Sequence, residues 1–216
     1  MSNVFFNLSC SFDASSFHNA NSVCTGEERI LQYSEGFKIF FNFYKNYYDR
    51  YEDVYIVDNT LKDISHLDKR IKNEIPANVN IIFTQKNEHG KLNKGAGILE
   101  NWMEVESLAS NYEFVFHFEP RLKLKSTKIF DQFAKEKKTT FLSHKIKQFK
   151  TGLIIFKMSD FKKYLSQRKT SDLCYPYTSL EDDIYSFFEK DKKNFTLIDK
   201  PDILWHDSAI NTWVEY

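Results

Sequence analysis

The sequence contains little glycine, proline or cysteine, and it has no excess of either charge. Its 216 residues include 6 Gly, 4 Pro and 3 Cys, and 30 basic residues balance 30 acidic ones. A chain without net charge gives no electrostatic reason to expect a polyanionic partner, so nucleic-acid binding is not predicted. No proline-rich linker, low-complexity run or internal repeat divides the chain, which favours a single domain.

The cysteines are too few and too far apart for a disulfide framework or a structural zinc site. Cys10, Cys24 and Cys174 are odd in number and show no CxxC spacing. We therefore expect a reducing, cytoplasmic compartment.

Long hydrophobic runs are also missing. The opening segment MSNVFFNLSCSF has no basic flank and too short an apolar run for a signal peptide, and no later run approaches the roughly 18 apolar residues of a membrane span. We expect a protein that is neither exported nor membrane-spanning, which leaves peripheral association with a membrane open.

Apolar residues make up 42% of the chain, enough for a real core, and they recur in alternating strand-like and helix-like segments. The strand-like segments of the first half are VFFNLSCSF, DVYIVDN, NVNIIFTQ and EFVFHFE. The helix-like segments between them are EERILQYSEGFKIFFNFYKNYYDRYE, LKDISHLDKRIKNEI and, after a predicted loop KNEHGKLNKGAG, ILENWMEVESLASN. This alternation predicts an α/β fold with a mostly parallel central sheet and helices on both faces.

The second half is less regular and predicts a mixed strand order. Helices are expected near STKIFDQFAKEKK, SDFKKYLSQ and SLEDDIYSFFEKD, and strands near TTFLSHKI and TGLIIFKM. We therefore expect one domain over residues 1–216, with its more variable elements in the second half.

Polar residues follow three of the predicted strands directly, as Asp58-Asn59-Thr60, Gln85-Lys86-Asn87 and His117-Phe118-Glu119. Ligands of such sheets gather at the carboxyl ends of the strands, where loops converge on one crevice. Asp58 could accept hydrogen bonds from a ribose hydroxyl or a base N–H there. The Asp-Asn-Thr sequence is equally typical of a turn or of a cap for the next helix.

Four segments resemble, in this order, motifs of the nucleotide-sugar glycosyltransferases with the A-type (GT-A) fold, in particular the family 2-like enzymes. They are IVDNTLKD, NKGAGILEN, FVFHFEPRL and SLEDDIYSFF, and the resemblance spans residues 1–207. It implies a single Rossmann-like domain with a nucleotide-sugar-binding half at 1–125 and an acceptor-side half at 126–216.

The resemblance also implies donor-binding residues. Asp58, with Asn59 beside it, would contact the uracil or ribose, Gly95 and Gly97 would let the backbone approach the donor, and Glu119 would stand near the diphosphate.

The chain departs from the family where the family binds a metal. A GT-A metal motif needs two carboxylates on a divalent ion such as Mn²⁺ or Mg²⁺, but the segment His117-Phe118-Glu119-Pro120-Arg121 has no second Asp. Alternation along a strand places His117 and Glu119 on one face, so they could bind a metal. The resemblance implies the late His206 as a further ligand. Alternatively, Arg121 could hold the phosphates directly, or Glu119 and Arg121 could form a surface ion pair.

The acidic cluster Glu181-Asp182-Asp183 begins a predicted helix, where it would complement the helix dipole. The resemblance implies a sharper role, in which Glu181 or Asp182 takes the proton of the acceptor hydroxyl. A single carboxylate base favours an inverting transfer.

The resemblance implies an enzyme that transfers a sugar from a nucleotide-sugar, a UDP- or GDP-sugar foremost, to a glycan or another hydroxyl acceptor. Surface polysaccharide, lipopolysaccharide or viral glycan synthesis would be its setting. Two other interpretations stay open. Loss of the second carboxylate fits a non-catalytic relative that binds a nucleotide-sugar as a scaffold, and carboxylates at strand ends also fit a nucleotidyltransferase.

Overall fold

The computed structural model describes residues 3–15, 17, 26–145, 147–191, 194–199, 201–207 and 212–215. Ten strands lie in this part of the chain: β1 (Val4–Cys10), β2 (Val54–Asp58), β3 (Asn80–Phe83), β4 (Phe114–Phe118), β5 (Lys123–Leu124), β6 (Thr139–Lys145), β7 (Gln148–Lys157), β8 (Phe195–Ile198), β9 (Ile203–Asp207) and β10 (Thr212–Glu215). The helices are α1 (Gly26–Tyr44), α2 (Lys69–Asn73), α3 (Lys94–Ala109), α4 (Lys128–Glu136), α5 (Met158–Leu165) and α6 (Leu180–Phe188).

The central sheet has seven strands in the order β3-β2-β1-β4-β7-β6-β8. β1 pairs in parallel with β2 and β4, β2 with β3, and β6 with β8, whereas β7 is antiparallel to both β4 and β6. The predicted α/β fold with a mostly parallel sheet is confirmed. Because β1 to β4 run in one direction, the loops that follow them meet at one edge of the sheet.

Helices cover both faces of this sheet. On one face α1, α2 and α4 pack around an aromatic cluster that includes Phe6, Phe40 and Phe116. On the other face α3, α5 and α6 pack around Trp102 and Phe156. All five of these side chains are fully buried. Burying one such aromatic side chain contributes roughly 1.5–3 kcal/mol, so the two clusters hold the three layers together.

A second, antiparallel sheet of three strands has the order β10-β9-β5. It brings Trp205 of β9 next to β7, where the Lys150 ammonium lies 4.2 Å from the centre of the Trp205 ring. The last part of the chain thereby returns to the edge where β1 to β4 end.

Two segments differ from the sequence-based prediction. The predicted helix LKDISHLDKRIKNEI is instead a 3₁₀ turn at Ile64–His66 followed by the short α2, because Asp63 and Asp68 each cap a separate turn. Helix α3 begins at Lys94, inside the predicted loop, because the Asn93 side chain caps it. None of the described helices is long and apolar enough to cross a membrane.

Candidate functional site

A cavity of about 270 Å³ opens at the carboxyl ends of β1 and β4. Residues from the end of β1, from α1, from the first turns of α3 and α6, and from the turn after β4 line it. Its charged lining residues in the described part of the chain are Arg29, Lys94, Glu119, Arg121 and Glu181. Ligands of parallel sheets bind in a crevice at this position, so the cavity is the candidate functional site.

The turn after β4 carries two of these charges. β4 ends at Phe118, and the Leu122 N–H donates to the Glu119 carbonyl at 2.9 Å, which closes the turn through Pro120. Pro120 has no N–H to offer a sheet, which suits a position just beyond the last residue of β4. The Pro120 carbonyl lies against Gly36 of α1, where a Cβ atom would come within 1.4 Å of the carbonyl oxygen. Glycine at position 36 therefore allows α1 to approach the turn.

Glu119 and Arg121 form an ion pair on the cavity wall. Arg121 Nη2 lies 3.5 Å from Glu119 Oε2, and the two side chains are 24% and 16% exposed, respectively. Burial raises the pKa of Glu119, and the charge of Arg121 opposes that shift. Of the alternatives offered by the sequence, a solvated surface pair therefore fits poorly, because both groups face the cavity.

Arg29 is a lining cation that the sequence analysis did not identify. Its side chain is 2% exposed, its Nε donates to the Ser11 carbonyl at 2.5 Å, and its guanidinium lies 5.5 Å from the centre of the Tyr33 ring. These contacts hold a charged group on the wall of the cavity. The available signal was its position, an arginine in the first turn of the helix after β1.

Lys94 is the second lining cation that was missed. It is the first residue of α3, next to Asn93, whose side chain accepts a hydrogen bond from the Gly95 N–H at 2.8 Å. Lys94 is an exposed residue, but partial desolvation where it lines the cavity, together with the positive charges of Arg121 and Arg29, lowers its pKa to about 8. Positive charge is thus crowded at this point of the cavity.

The two candidate bases at the start of α6 lie in different surroundings. Glu181 lines the cavity, and its Oε1 accepts a hydrogen bond from Thr151 Oγ1 at 2.7 Å. Asp182 accepts instead from Gln148 Nε2 at 2.8 Å and from Ser179 Oγ at 2.6 Å. Glu181 is therefore the candidate base that lines the cavity. Asp182 instead stabilises the first turn of α6 through its hydrogen bonds with Ser179 and Gln148.

Asp58 is the last residue of β2, as predicted, and it is fully buried. Its carboxylate accepts hydrogen bonds from the backbone N–H groups of Phe12, Thr60 and Leu61 at 2.7, 2.8 and 2.6 Å, and from the Thr60 hydroxyl at 3.0 Å. These bonds join the loop after β1 to the loop after β2. Asp58 thus has the turn-forming role that the sequence offered as an alternative, and its contact with a nucleoside stays a prediction.

Asn59 and two glycines of α3 pack the neighbouring loops together. Asn59 Nδ2 donates to the Gly97 carbonyl at 3.2 Å and to Asn87 Oδ1 at 3.3 Å. A Cβ atom on Gly97 would lie 3.3 Å from Asn59 Nδ2, and one on Gly95 would lie 2.6 Å from Leu180 Cβ. The absence of a side chain at these two glycines therefore makes room for neighbouring protein atoms, whereas the resemblance implied room for the donor. Both glycines also line the cavity, and donor binding by them and by Asn59 stays a prediction.

The residues present do not fit the metal that the GT-A resemblance implies. His117 is fully buried, and its Nδ1 accepts a hydrogen bond from Trp102 Nε1 at 3.0 Å. Burial lowers the pKa of His117 to about 3, so the ring is neutral, but it packs in the core against Trp102 and does not line the cavity. Glu119 is paired with Arg121. The side chain of His206, on β9, lies outside the described part of the chain.

More generally, no group of three or more His, Cys, Asp or Glu side chains that could hold a metal ion occurs among the described residues. The geometry therefore argues against His117 and Glu119 as a metal pair.

A larger, open groove of about 1000 Å³ lies at the ends of β2 and β3. Its lining comes from the loops after these strands and from α3, and it includes Asn59, Lys86 and His89. Size alone would favour this groove as the active site. The groove also carries charged side chains, but its lysines Lys62, Lys86 and Lys91 are exposed. The smaller cavity is preferred because the buried Arg29 and the partly buried Glu119, Arg121 and Glu181 line it together.

No protein-family model and no curated protein matches the sequence. Solved structures with the same fold do match. A cytidylyltransferase from Leptospira borgpetersenii serovar Hardjo-bovis (strain JB197) aligns over 100% of this chain and 82% of its own, with 14% identity and a TM-score of 0.55. A protein from Desulfovibrio desulfuricans G20, provisionally assigned as a nucleotide-diphospho-sugar transferase, aligns over 92% of this chain and 80% of its own, with 8% identity and a TM-score of 0.57.

At such identities the similarity establishes the fold and nothing finer. The chain has the GT-A-like fold that the resemblance implied, whereas membership of the family 2-like enzymes stays a prediction.

Proposed function

We propose, from this shared fold, that the protein is a glycosyltransferase that takes its sugar from a nucleotide-sugar donor. The observation that carries the proposal is the convergence of three cations, Arg29, Lys94 and Arg121, with the carboxylate of Glu181 in one cavity at the carboxyl ends of the parallel strands. Cations can bind the negative diphosphate of a nucleotide-sugar. A carboxylate can accept the proton of the acceptor hydroxyl that attacks the sugar.

In the proposed reaction an acceptor hydroxyl attacks the anomeric carbon of the donor sugar. The new bond joins the acceptor oxygen to that carbon, and the bond from the carbon to the phosphate oxygen breaks, leaving its electron pair on the nucleoside diphosphate. Glu181 receives the proton of the acceptor hydroxyl and later releases it to water. Its hydrogen bond from Thr151 holds one carboxylate oxygen in place, so the other is the one we assign to the acceptor.

The donor we expect is a UDP- or GDP-sugar and the acceptor a glycan hydroxyl, as the sequence resemblance implies. Surface polysaccharide, lipopolysaccharide or viral glycan synthesis remains the setting that this chemistry would serve. A Glu181 carboxylate acting alone is consistent with inversion at the anomeric carbon.

A second candidate function is nucleotidyl transfer. It is favoured by the cytidylyltransferase that aligns over the whole of this chain. A nucleoside triphosphate would use the same three cations, but pyrophosphate would leave and a phosphate oxygen of the second substrate would attack the α-phosphorus.

One experiment separates these functions by their products. The protein is incubated with UDP-, GDP-, CMP- and dTDP-sugars and a panel of glycans, and in parallel with each nucleoside triphosphate and a panel of phosphorylated acceptors. Release of a nucleotide from a sugar donor supports the glycosyltransferase, and release of pyrophosphate supports the nucleotidyltransferase.

Thermal shift on the same ligands identifies a non-catalytic relative. A ligand at a hundred times its dissociation constant adds about 2.7 kcal/mol of stability. Stabilisation by a nucleotide-sugar without any release of nucleotide, over the whole acceptor panel, would contradict the proposed enzyme and favour the scaffold.

A further inference from the structure

The cations of the cavity come from three separate elements that the fold brings together. Arg29 belongs to α1, Lys94 opens α3, and Arg121 follows β4 by three residues. They outnumber the lining carboxylates of the described residues, Glu119 and Glu181. A divalent metal ion would have to enter among these cations, and Coulomb repulsion opposes that.

The same cavity is built to receive an anion. Arg29 is held in advance by Ser11 and Tyr33, so little rotamer freedom is lost when it meets a ligand. Lys94 stands at the N-terminus of α3, a helix of 16 residues whose dipole adds positive potential at this end. The lowered pKa of Lys94 has Arg121 and Arg29 among its causes, so a bound anion would relieve an existing repulsion.

A further polar group also points to a ligand. Asn101 of α3 lines the cavity, is 2% exposed, and its Oδ1 has no hydrogen-bond partner among the described residues. A buried acceptor without a partner is costly, and a hydroxyl of a nucleotide-sugar would satisfy it, whereas its diphosphate has no donor to offer.

We propose that Arg29, Lys94 and Arg121 take the place of the divalent metal, binding the diphosphate of the nucleotide substrate and stabilising its charge as it leaves. The part of this inference that concerns transfer rests on the proposed function. The part that concerns binding does not, because a diphosphate fits the three cations whichever bond is later broken. Glu119 then orients Arg121 through their ion pair and ligates no metal.

The test measures binding of inorganic pyrophosphate and of UDP to the full chain by calorimetry, with EDTA present and then with Mn²⁺ or Mg²⁺ in excess. We expect both ligands to bind in EDTA, and we expect Mn²⁺ and Mg²⁺ not to tighten binding, because the metals complex the free ligands in solution and the three cations need neither. Binding that appears only when a metal is added would overturn the proposal.

Matched variants locate the site. Lys94→Ala and Arg121→Ala should each weaken pyrophosphate binding by about tenfold or more, the range of a charged hydrogen bond. Lys91→Ala is the control, because Lys91 is an equally exposed lysine that lines the larger groove instead of the cavity, so its loss should leave binding unchanged. Arg29 is avoided because its bond to Ser11 also supports the fold. Wild-type affinity in both Lys94→Ala and Arg121→Ala, with an unchanged melting temperature, would contradict the assignment.

Failure of this inference is distinguishable from failure of the proposed function. Metal-free binding without any sugar transfer would leave the anion site standing and remove the glycosyltransferase. Sugar transfer that EDTA abolishes and Mn²⁺ restores would keep the glycosyltransferase and remove the metal-free mechanism.

Discussion

Thr151 Oγ1 donates a hydrogen bond to Glu181 Oε1 at 2.7 Å, and this contact joins β7 to the first turn of α6. Both residues line the cavity. The carboxylate of Glu181 is therefore aimed by a strand of the central sheet, which moves less than a loop would.

Replacing Glu181 by its amide tests whether it is the base. Glu181→Gln keeps the shape and removes the basicity, so turnover should fall by roughly 10²-fold or more while donor binding survives. Asp182→Asn is the matched control, since Asp182 bonds Gln148 and Ser179, and its turnover should stay near normal. Near-normal turnover in Glu181→Gln would move the base elsewhere.

The sheet could be predicted from the sequence, and the relative orientation of neighbouring side chains on a helix could not. The strands β1 to β4 are short apolar runs followed by polar residues, and this pattern can be recognised from neighbouring residues alone. Glu181 and Asp182 are adjacent on a helix and so point about 100° apart. Which of them faces the cavity depends on how α6 packs, and that is a tertiary property.

Two of the three cations, Arg29 and Lys94, could not be identified from the sequence for a related reason. Arg29 and Lys94 lie in the first turns of two helices, where charged side chains are usually solvated. Only the docking of α1 and α3 at one edge of the sheet brings them together. His117 shows the reverse case, because strand alternation placed it beside Glu119 at the crevice but gave no sign that Trp102 would cover it in the core.

Asp58 should matter for folding before it matters for binding. In Asp58→Asn the amide nitrogen would face one of the three backbone N–H groups that the carboxylate now accepts, so we expect a loss of about 2 kcal/mol in unfolding free energy. Asp63→Asn is the control, because Asn caps a turn as well as Asp does. Urea denaturation measures both. A fully stable Asp58→Asn protein with weakened nucleotide binding would favour the nucleoside contact instead.

Gly36→Ala should destabilise the protein although alanine favours helices. The new methyl group would meet the Pro120 carbonyl oxygen at 1.4 Å, so α1 or the turn must shift. Overpacking of this kind costs about 1–3 kcal/mol, more than the roughly 1 kcal/mol gained in helix propensity. Lys38→Ala, at an exposed position of α1, should change stability by less than about 0.5 kcal/mol. Equal melting temperatures for the two variants would show that α1 and the turn can separate at no cost in stability.

Acid should destabilise the fold through His117. Its pKa is about 3 in the folded protein, well below the 6.5 of a free imidazole, so the unfolded chain binds the proton more tightly. The neutral ring makes its full contribution to the free energy of unfolding above pH 6.5. This contribution is lost as the pH falls towards 3, at up to about 1.4 kcal/mol per pH unit.

His117→Asn removes the titrating group and keeps an acceptor for Trp102. Its unfolding free energy should be lower at pH 7 and should fall less steeply between pH 6.5 and 4 than that of the wild type. Parallel pH profiles for the two proteins would contradict the assignment.

Alkaline pH should weaken anion binding through Lys94. Its pKa is about 8, so pyrophosphate affinity should decline as pH rises from 7 to 9. The limit is about tenfold per pH unit for loss of one proton. Neither Tyr33 nor Cys10 should interfere, because burial raises the pKa of Tyr33 to about 12 and that of Cys10 well above its usual value. The negative charges of Glu119 and Glu181 act in the opposite direction on the pKa of Lys94 and favour its charged form.

Lys94→Arg is the matched variant for this profile. Arginine keeps its proton at pH 9, so the decline should disappear while binding at pH 7 is retained. A decline that persists unchanged in Lys94→Arg would assign it to another group.

The lining of the cavity runs from Ser9 in the first strand to Trp205 in β9. Residues that distant meet only after long stretches of chain have closed into loops, and such closures are entropically costly and slow. We therefore expect the pocket to be completed late in folding, after the parallel strands have paired. A chain cut after residue 125 would retain Arg29, Lys94 and Arg121 but would lack Thr151, Glu181 and Trp205. The lining of the proposed site thus comes from both halves of the sequence, and neither half alone carries all of it.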